Sequence, residues 1–343
     1  MTIGGKHSDL RKPNRHWSAL DGAGIAWQLI GAKGNKVMRT VLALWAVAVA
    51  STAFAQVSDG DVQSARKGMS WQQGHDAGWY LDQHNRMTAA IAALKPERKK
   101  LTDAFVLVVG LDGDPVFGKE AAETARVLAR RYDAVGHTIL LATASPQAPE
   151  GSPPNIATAL AAMAGKMNRD EDVLVLYATA HGAPGIGVVY KDGDKGYGYV
   201  AAQRLGEMLT QLGIRKRLIL ISACYSGQFI NEMATAESVI VTASDDDRTS
   251  FGCAPGNDWT FFGDAMINNA LRKPTALEPA AAEAFALISG WETSKDLTPS
   301  KPRIFIGPQA RDWLGPLEKK LPAATARVGR PAIDEVKPAV AGR

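Results

Sequence analysis

Apolar residues in this chain come in short unbroken runs, separated by longer stretches that carry a single apolar stripe. The runs are FVLVVG (105–110), HTILLATA (137–144), DVLVLYATA (172–180), RLILISA (217–223), SVIVTAS (238–244) and RIFIG (303–307). Continuous β-rich runs of this length predict strands buried on both faces. The intervening segments 119–133, 154–168, 199–213, 226–235 and 275–292 predict helices, with Asn155 as a cap and Gly213 as a stop. Strand and helix alternate along the chain. The expected fold class is therefore α/β, with a mostly parallel sheet of about six strands and helices on both faces. In such sheets, chemistry gathers beyond the carboxyl ends of the strands.

Outside this core the pattern weakens. Residues 56–100 form a helical lead-in, where Trp79, Tyr80, Met87, Ile91 and Leu94 fall on one helix face. His75 and His84 lie in this segment with no acidic or cysteine partner at ligand spacing, so packing or surface roles are expected and no metal site. The α/β domain is bounded at 101–314, and 315–343 is expected to be a disordered tail, rich in Ala, Pro and Lys from about Leu321.

The amino-terminal segment has a different character. Starting at Met38, MRTVLALWAVAVASTAFAQ places Arg39 before an apolar run from Val41 to Ala50, then Ala53-Phe54-Ala55 before Gln56. This is the order of a secretory signal peptide at 38–55, which makes 1–37 an extension ahead of a translation start at Met38. The apolar run is shorter than the about 20 residues a membrane span needs, although an uncleaved signal would act as an anchor. The expected compartment is periplasmic or extracellular, the periplasm implying a bacterium.

Charge and cysteine content narrow the function. The net charge of +4 is concentrated at the start: residues 1–55 hold seven Lys/Arg against two acidic residues, leaving 32 basic and 33 acidic residues elsewhere. That balance gives no footprint for nucleic acid. Two cysteines exclude a disulfide framework and a zinc ribbon. Where disulfides form readily, a retained free thiol calls for burial or a job.

Two strand ends carry chemically capable residues. YATAHGAPG sets His181 and Gly182 at the tip of the third predicted strand, and LILISACYSGQFI sets Cys224 at the tip of the fourth. Their separation of 43 positions leaves room for one helical crossover. If the two strands are neighbours, both side chains emerge on one rim. A thiol attacks as the thiolate and needs a base beside it. Imidazole fills that role and can later return a proton to a leaving amine. The N–H groups of Gly182 and Cys224 would face a substrate oxygen as an oxyanion hole, and the small residues Ala223, Ser226 and Gly227 keep room around the sulfur. Taken singly, a cysteine at a strand end is a small core residue and His-Gly is a turn. The pair at successive tips points to a nucleophile and its base. Asp112 or Asp114 in GLDGDPVFGKE (110–120) would orient His181, or would serve as turn residues. The run DDDR (245–248) is a solvated loop, a cation site or an acidic pocket wall favouring a basic P1 side chain.

His-Gly after one strand and SACYSG after the next resemble the catalytic motifs of the caspase-like cysteine peptidases, and within them the legumain family with its bacterial members. DRTSFGCAPGNDWTFFGDAM (247–266) is similar to that family's pocket segment, and the resemblance spans roughly 103–310. It implies a caspase-like three-layer fold, Cys224 as nucleophile, His181 as base and acid, and Gly182 with Cys224 as oxyanion hole. Thr249, Ser250, Asp258 and Tyr225 would line the substrate pocket, and Cys253 matches a non-catalytic cysteine, read as a buried free thiol. Two departures bear on specificity. Legumains carry an acidic residue after the nucleophile, where this chain has Tyr225. Their first loop carries an Asn and an Arg that help bind an asparagine side chain, where this chain has only Lys119.

The expected function is an exported cysteine endopeptidase that hydrolyses peptide or protein substrates through a thioester, without metal or organic cofactor. Capture of the same acyl-enzyme by an amine would make it a transpeptidase or transamidase. A catalytically silent caspase-like binding module is the alternative from another class. A nucleotide-binding domain is disfavoured, because GLDGDPVFG (110–118) lacks phosphate-loop spacing.

Overall fold

The computed structural model describes residues 70–72 and 75–335. The segments expected to be an extension (1–37) and a signal peptide (38–55) lie outside the described residues. The elements run β1 (Ser70–Gln72), α1 (Ala77–Ala92), β2 (Ala104–Gly110), α2 (Pro115–Arg131), β3 (Thr138–Ala142), α3 (Pro153–Ala164), β4 (Val173–Thr179), β5 (Gly182–Ala183), β6 (Gly187–Asp192), β7 (Gly196–Ala201), α4 (Ala202–Gln211), β8 (Arg217–Ser222), α5 (Gln228–Met233) and β9 (Ser238–Thr242). A π-helix (Gly263–Ala270), α6 (Leu277–Ser294), β10 (Arg303–Ile306), α7 (Arg311–Leu317) and a short 3-10 turn (Ala332–Glu335) complete the described chain.

The six predicted strands form one sheet in the order β10-β9-β8-β4-β2-β3. All neighbours are parallel except β10, which runs antiparallel to β9. Every residue of β2, β4 and β8 is buried, as their unbroken apolar runs require. Alternate residues feed two cores. Val106, Val108, Val175, Tyr177 and Leu220 pack under α2, the π-helix and α6. Phe105, Leu107, Leu176, Ile219 and Ile221 pack under α1, α3, α4 and α5. Burying each such side chain contributes about 1.5–3 kcal/mol, so the two-faced burial of the central strands fixes their register. The result is an α/β sheet with helices on both faces.

Several segments differ from the sequence expectation, among them β1, a strand within the expected helical lead-in, and β5 and β6, where no element is expected. Residues 199–201, expected to open a helix, close β7, where Tyr199 and Val200 pair with Val189 and Val188; the helix starts only at Ala202. β7 belongs to a second, four-stranded sheet, β1-β7-β6-β5, in which β5, β6 and β7 follow His181 and β1 comes from ahead of α1. A π-helix fills 263–270, where no element was expected. At the carboxyl end, where composition suggested disorder, residues 325–335 lie along the body as a strap. Trp259 Nε1 donates to Val328 O at 2.8 Å, Ala332 N donates to Asp264 Oδ2 at 2.8 Å, and Ala332 is buried. The strap stays in place because it supplies partners to polar groups of the π-helix that would otherwise be buried without them. No helix among the described residues is long and apolar enough to cross a membrane.

Candidate active site

β4 and β8 are adjacent and parallel, with Thr179 opposite Ser222. The ladder extends one bond further, from Ala180 N to Ser222 O at 3.2 Å. His181 and Cys224 each lie two residues beyond that last matched pair, so they leave the sheet at the same level on one rim. Gly182 is pressed against the Cys224 backbone, and a β-carbon there would collide with the Cys224 carbonyl oxygen. The glycine is needed for that close approach of the two tips.

The turn after Cys224 is rigidly held. Tyr225 sits at φ 57°, in the left-handed region that non-glycine residues rarely occupy, and its N–H donates to Arg248 O at 2.7 Å. Ser226 is buried and exchanges hydrogen bonds with Ser244, whose hydroxyl also donates to Ala223 O at 3.2 Å. A β-carbon at Gly227 would strike the backbone of Asp245 and Asp246. Ser226 and Gly227 were expected to leave space around the sulfur. Instead they lock the turn to the end of β9, and the strain at Tyr225 is held by this surrounding network. α5 begins only at Gln228 and has six residues.

The sulfur faces Ser250. The Ser250 N–H donates to Cys224 Sγ at 3.3 Å, and the Ser250 carbonyl and hydroxyl oxygens lie 3.6 and 3.7 Å from it. Both cysteines are free. Cys253 lies close enough to feel charge on Cys224, and burial first, then that neighbour, pushes its thiol up to about 11. Cys253 is therefore protonated at neutral pH and is a poor nucleophile.

The imidazole is packed and faced by a carboxylate. Phe117 of α2 meets the His181 ring edge-on at 5.1 Å between centroids. His181 Nε2 lies 3.7 Å from Asp114 Oδ2, within ion-pair range and beyond a hydrogen bond. Asp114 stands at the N-cap position of α2, where an aspartate commonly caps, yet it makes no side-chain cap bond. Its carboxylate is turned to the imidazole. Asp112 is buried, accepts from Asp114 N at 2.9 Å, and has its second oxygen buried without a hydrogen-bond partner. Burial raises the Asp112 pKa, and His181 nearby pulls it back down. The sequence left these two aspartates equal. The geometry sets Asp114 at the ring and Asp112 behind it, holding the loop.

Of the expected pocket residues, Ser250 touches the sulfur, Tyr225 forms the turn and Thr249 is exposed. Asp258 closes the same loop. Its Oδ1 accepts from Lys119 Nζ at 2.8 Å, and its Oδ2 accepts from Arg330 N at 3.0 Å. Lys119 first, then the Arg330 backbone, lower the Asp258 carboxyl to about 2. Lys119, noted in sequence as the loop's one cation, thus finds its partner 139 residues on. The acidic run is already engaged: Asp245 with Arg303, Asp246 with Asn231, and Asp247 with Arg248. Asp246 and Asp247 border a cleft of about 420 Å³ with Gln228, Asn231 and Glu232.

Sequence reasoning missed Glu120. It is fully buried, accepting from the Tyr177 hydroxyl at 2.6 Å and from Thr260 N at 2.7 Å. One carboxylate thereby joins α2, β4 and the end of the Ser250–Asp258 loop. The only sequence signal was a charged residue next to the apolar stripe of a helix, which ordinarily faces water. His75 differs too: its acidic neighbours are Glu150 and Asp192, brought to it from distant parts of the chain.

No curated protein matches the chain. Among solved structures, caspase-1 from Spodoptera frugiperda is similar over 62% of this chain and 93% of its own, at 12% identity and a TM-score of 0.40. Residues 157–290, the stretch that carries both strand tips and the loop from Thr249 to Asp258, match the model of the Peptidase C13 family.

Proposed function

We propose that this chain is a cysteine endopeptidase working through Cys224 and His181. The observation that carries the reading is the equal register of the two residues on adjacent parallel strands, with Gly182 packed against the Cys224 backbone. The match of 157–290 to a peptidase family supports the same chemistry.

In this reading His181 takes the Cys224 proton, and the sulfur, already facing the Ser250 N–H, attacks the scissile carbonyl carbon. The N–H groups of Gly182 and Cys224 receive the negative oxygen. His181, steadied as imidazolium by Asp114, then protonates the leaving amine, and a thioester remains. Water cleaves the thioester and regenerates the thiol. An amine in place of water gives transpeptidation on the same dyad. Lys119 and Asp258 offer a cation and an anion side by side, which suits a carboxamide side chain at P1; the acidic cleft at Asp246 and Asp247 suits a basic one. Export from the Met38 signal belongs to the same proposal, with a mature start at Gln56.

The test is a fluorogenic peptide library varied at P1, run on the purified chain under reducing conditions beside Cys224→Ala and His181→Ala. Turnover lost in both variants supports the peptidase, and the preferred P1 residue separates the two pocket readings. Intact folding with no turnover, and Cys224 inert to an alkylating probe, would favour a silent binding module.

A further inference from the structure

At the carboxyl end of β6, three ligating side chains from distant parts of the chain meet. They are His75 before α1, Glu150 before α3 and Asp192 at the end of β6, with one ligand atom of each lying within 4.8 Å of the others. Nothing in the peptidase chemistry uses them. The His75 side chain is 3% exposed, and its Nε2 lies 2.8 Å from Asp192 Oδ2. Yet Nε2 is buried with no aligned hydrogen bond. That closeness without an aligned hydrogen bond leaves the ring nitrogen and the carboxylate able to share a third centre.

The surroundings are built for orientation. Trp79 stacks on the His75 ring at 3.6 Å and 11°, fixing its plane. The Tyr190 hydroxyl donates to Glu150 Oε1, and Glu150 N donates to Gln83 Oε1 at 2.8 Å. Glu150 itself is 5% exposed. Metal ligands are commonly steadied by such outer hydrogen bonds and by an apolar wall.

We propose that His75, Glu150 and Asp192 form a zinc site. One imidazole and two carboxylates make a mixed nitrogen and oxygen set that neutralises a divalent charge. Calcium and magnesium favour all-oxygen sets, whereas zinc takes this one, with water in the fourth position. Zinc bonds of about 2.0–2.1 Å hold tetrahedral ligand atoms roughly 3.3 Å apart, between the 2.8 Å pair and the 4.8 Å limit of the cluster. The ion would pin the segment ahead of α1 to the second sheet. It would also reach toward the catalytic rim: Lys191, next to Asp192, bonds through its backbone to Leu111 and Gly113, which flank Asp112.

The test uses the full chain carrying Cys224→Ala and Cys253→Ala, so that no thiol competes. After incubation with zinc chloride and dialysis, metal content and affinity are measured for this chain and for His75→Ala, Glu150→Gln, Asp192→Asn and Tyr190→Phe versions of it. One zinc per chain is expected, lost on changing any of the three ligands, and held about tenfold more weakly in Tyr190→Phe. Asp246→Asn, in the other acidic cluster, is expected to bind as the parent does. X-ray absorption of the zinc-loaded chain with both cysteines intact needs no ligand substitution. It is expected to show nitrogen and oxygen neighbours with imidazole scattering and no sulfur. No retained zinc, equal zinc in the ligand variants, or a sulfur shell would each overturn the proposal.

Discussion

Gly182 touches the Cys224 backbone so closely that a β-carbon at 182 would collide with the Cys224 carbonyl oxygen and crowd its nitrogen. Gly182→Ala must therefore push the two strand tips apart. A displacement near 1 Å costs about 10²-fold in rate, so kcat/KM is expected to fall at least that far while the sheet survives. Steady-state kinetics with a circular dichroism control measure this. Near-normal activity would remove the close approach from the mechanism.

Asp114 and Asp112 divide their labour, and substitution should separate them. Asp114→Asn keeps the shape but removes the charge 3.7 Å from His181 Nε2. It is expected to lower kcat roughly tenfold, with KM unchanged, as befits a group that acts through the base. Asp112→Ala deletes the acceptor for Asp114 N and is expected to lower thermal stability as well as kcat. Equal kinetic and stability profiles for the two variants would contradict the assignment.

The two cysteines should be told apart by alkylation. With its thiol at about 11, Cys253 carries roughly one thiolate in 10⁴ at pH 7. Iodoacetamide is expected to label Cys224 first at neutral pH, and Cys253 only as the pH climbs toward 11. Peptide mapping by mass spectrometry across pH reads both rates. Faster labelling of Cys253 at pH 7 would reverse the roles.

Asp258 keeps its negative charge to unusual acidity. Its folded pKa of about 2 lies below the ordinary carboxylate value. The stabilisation it contributes is thus fully present above about pH 4 and is lost as pH falls through about 2. Activity changes above pH 4 must come from other groups. Lys119→Ala removes the largest cause of the shift and is expected to raise the Asp258 pKa, followed by NMR titration, and to raise KM for substrates with a carboxamide at P1. An unmoved titration would show that Arg330 alone sets the carboxylate.

Glu120→Ala strips the acceptor from the Tyr177 hydroxyl and from Thr260 N, both buried. Each orphaned group costs about 1–3 kcal/mol, so urea denaturation is expected to show a loss of about 3 kcal/mol. Glu120→Gln, which keeps one oxygen acceptor, should lose less. A loss below that of an exposed-site control would rule out Glu120 as a structural tie.

The strands and the place of His181 and Cys224 at adjacent tips were legible because each depends on local pattern. Unbroken runs such as 105–110 and 217–223 can only be buried on both sides, and a polar residue straight after such a run must sit at a strand tip. What escaped depends on distance along the chain. β7 is interrupted by Gly196 and Gly198 and gains its strand character only from pairing with β6. Glu120 looks like a solvent-facing helix residue until Tyr177 and Thr260 arrive. His75 acquires its acidic company from positions 150 and 192. The strap is polar and proline-containing, and it is ordered by the needs of Trp259, Asp264 and Asn268 rather than by its own propensity.

That strap also sets an order of assembly. A chain made amino end first can complete β2, β3, β4, β8 and their helices while the rest is still being synthesised. Arg330, which grips Asp258, follows it by 72 residues. During synthesis Cys224 and His181 can therefore meet before the wall beside them has been fastened. On the proposed reading, the nascent chain passes through a stage with its sulfur in place and its selectivity unfinished.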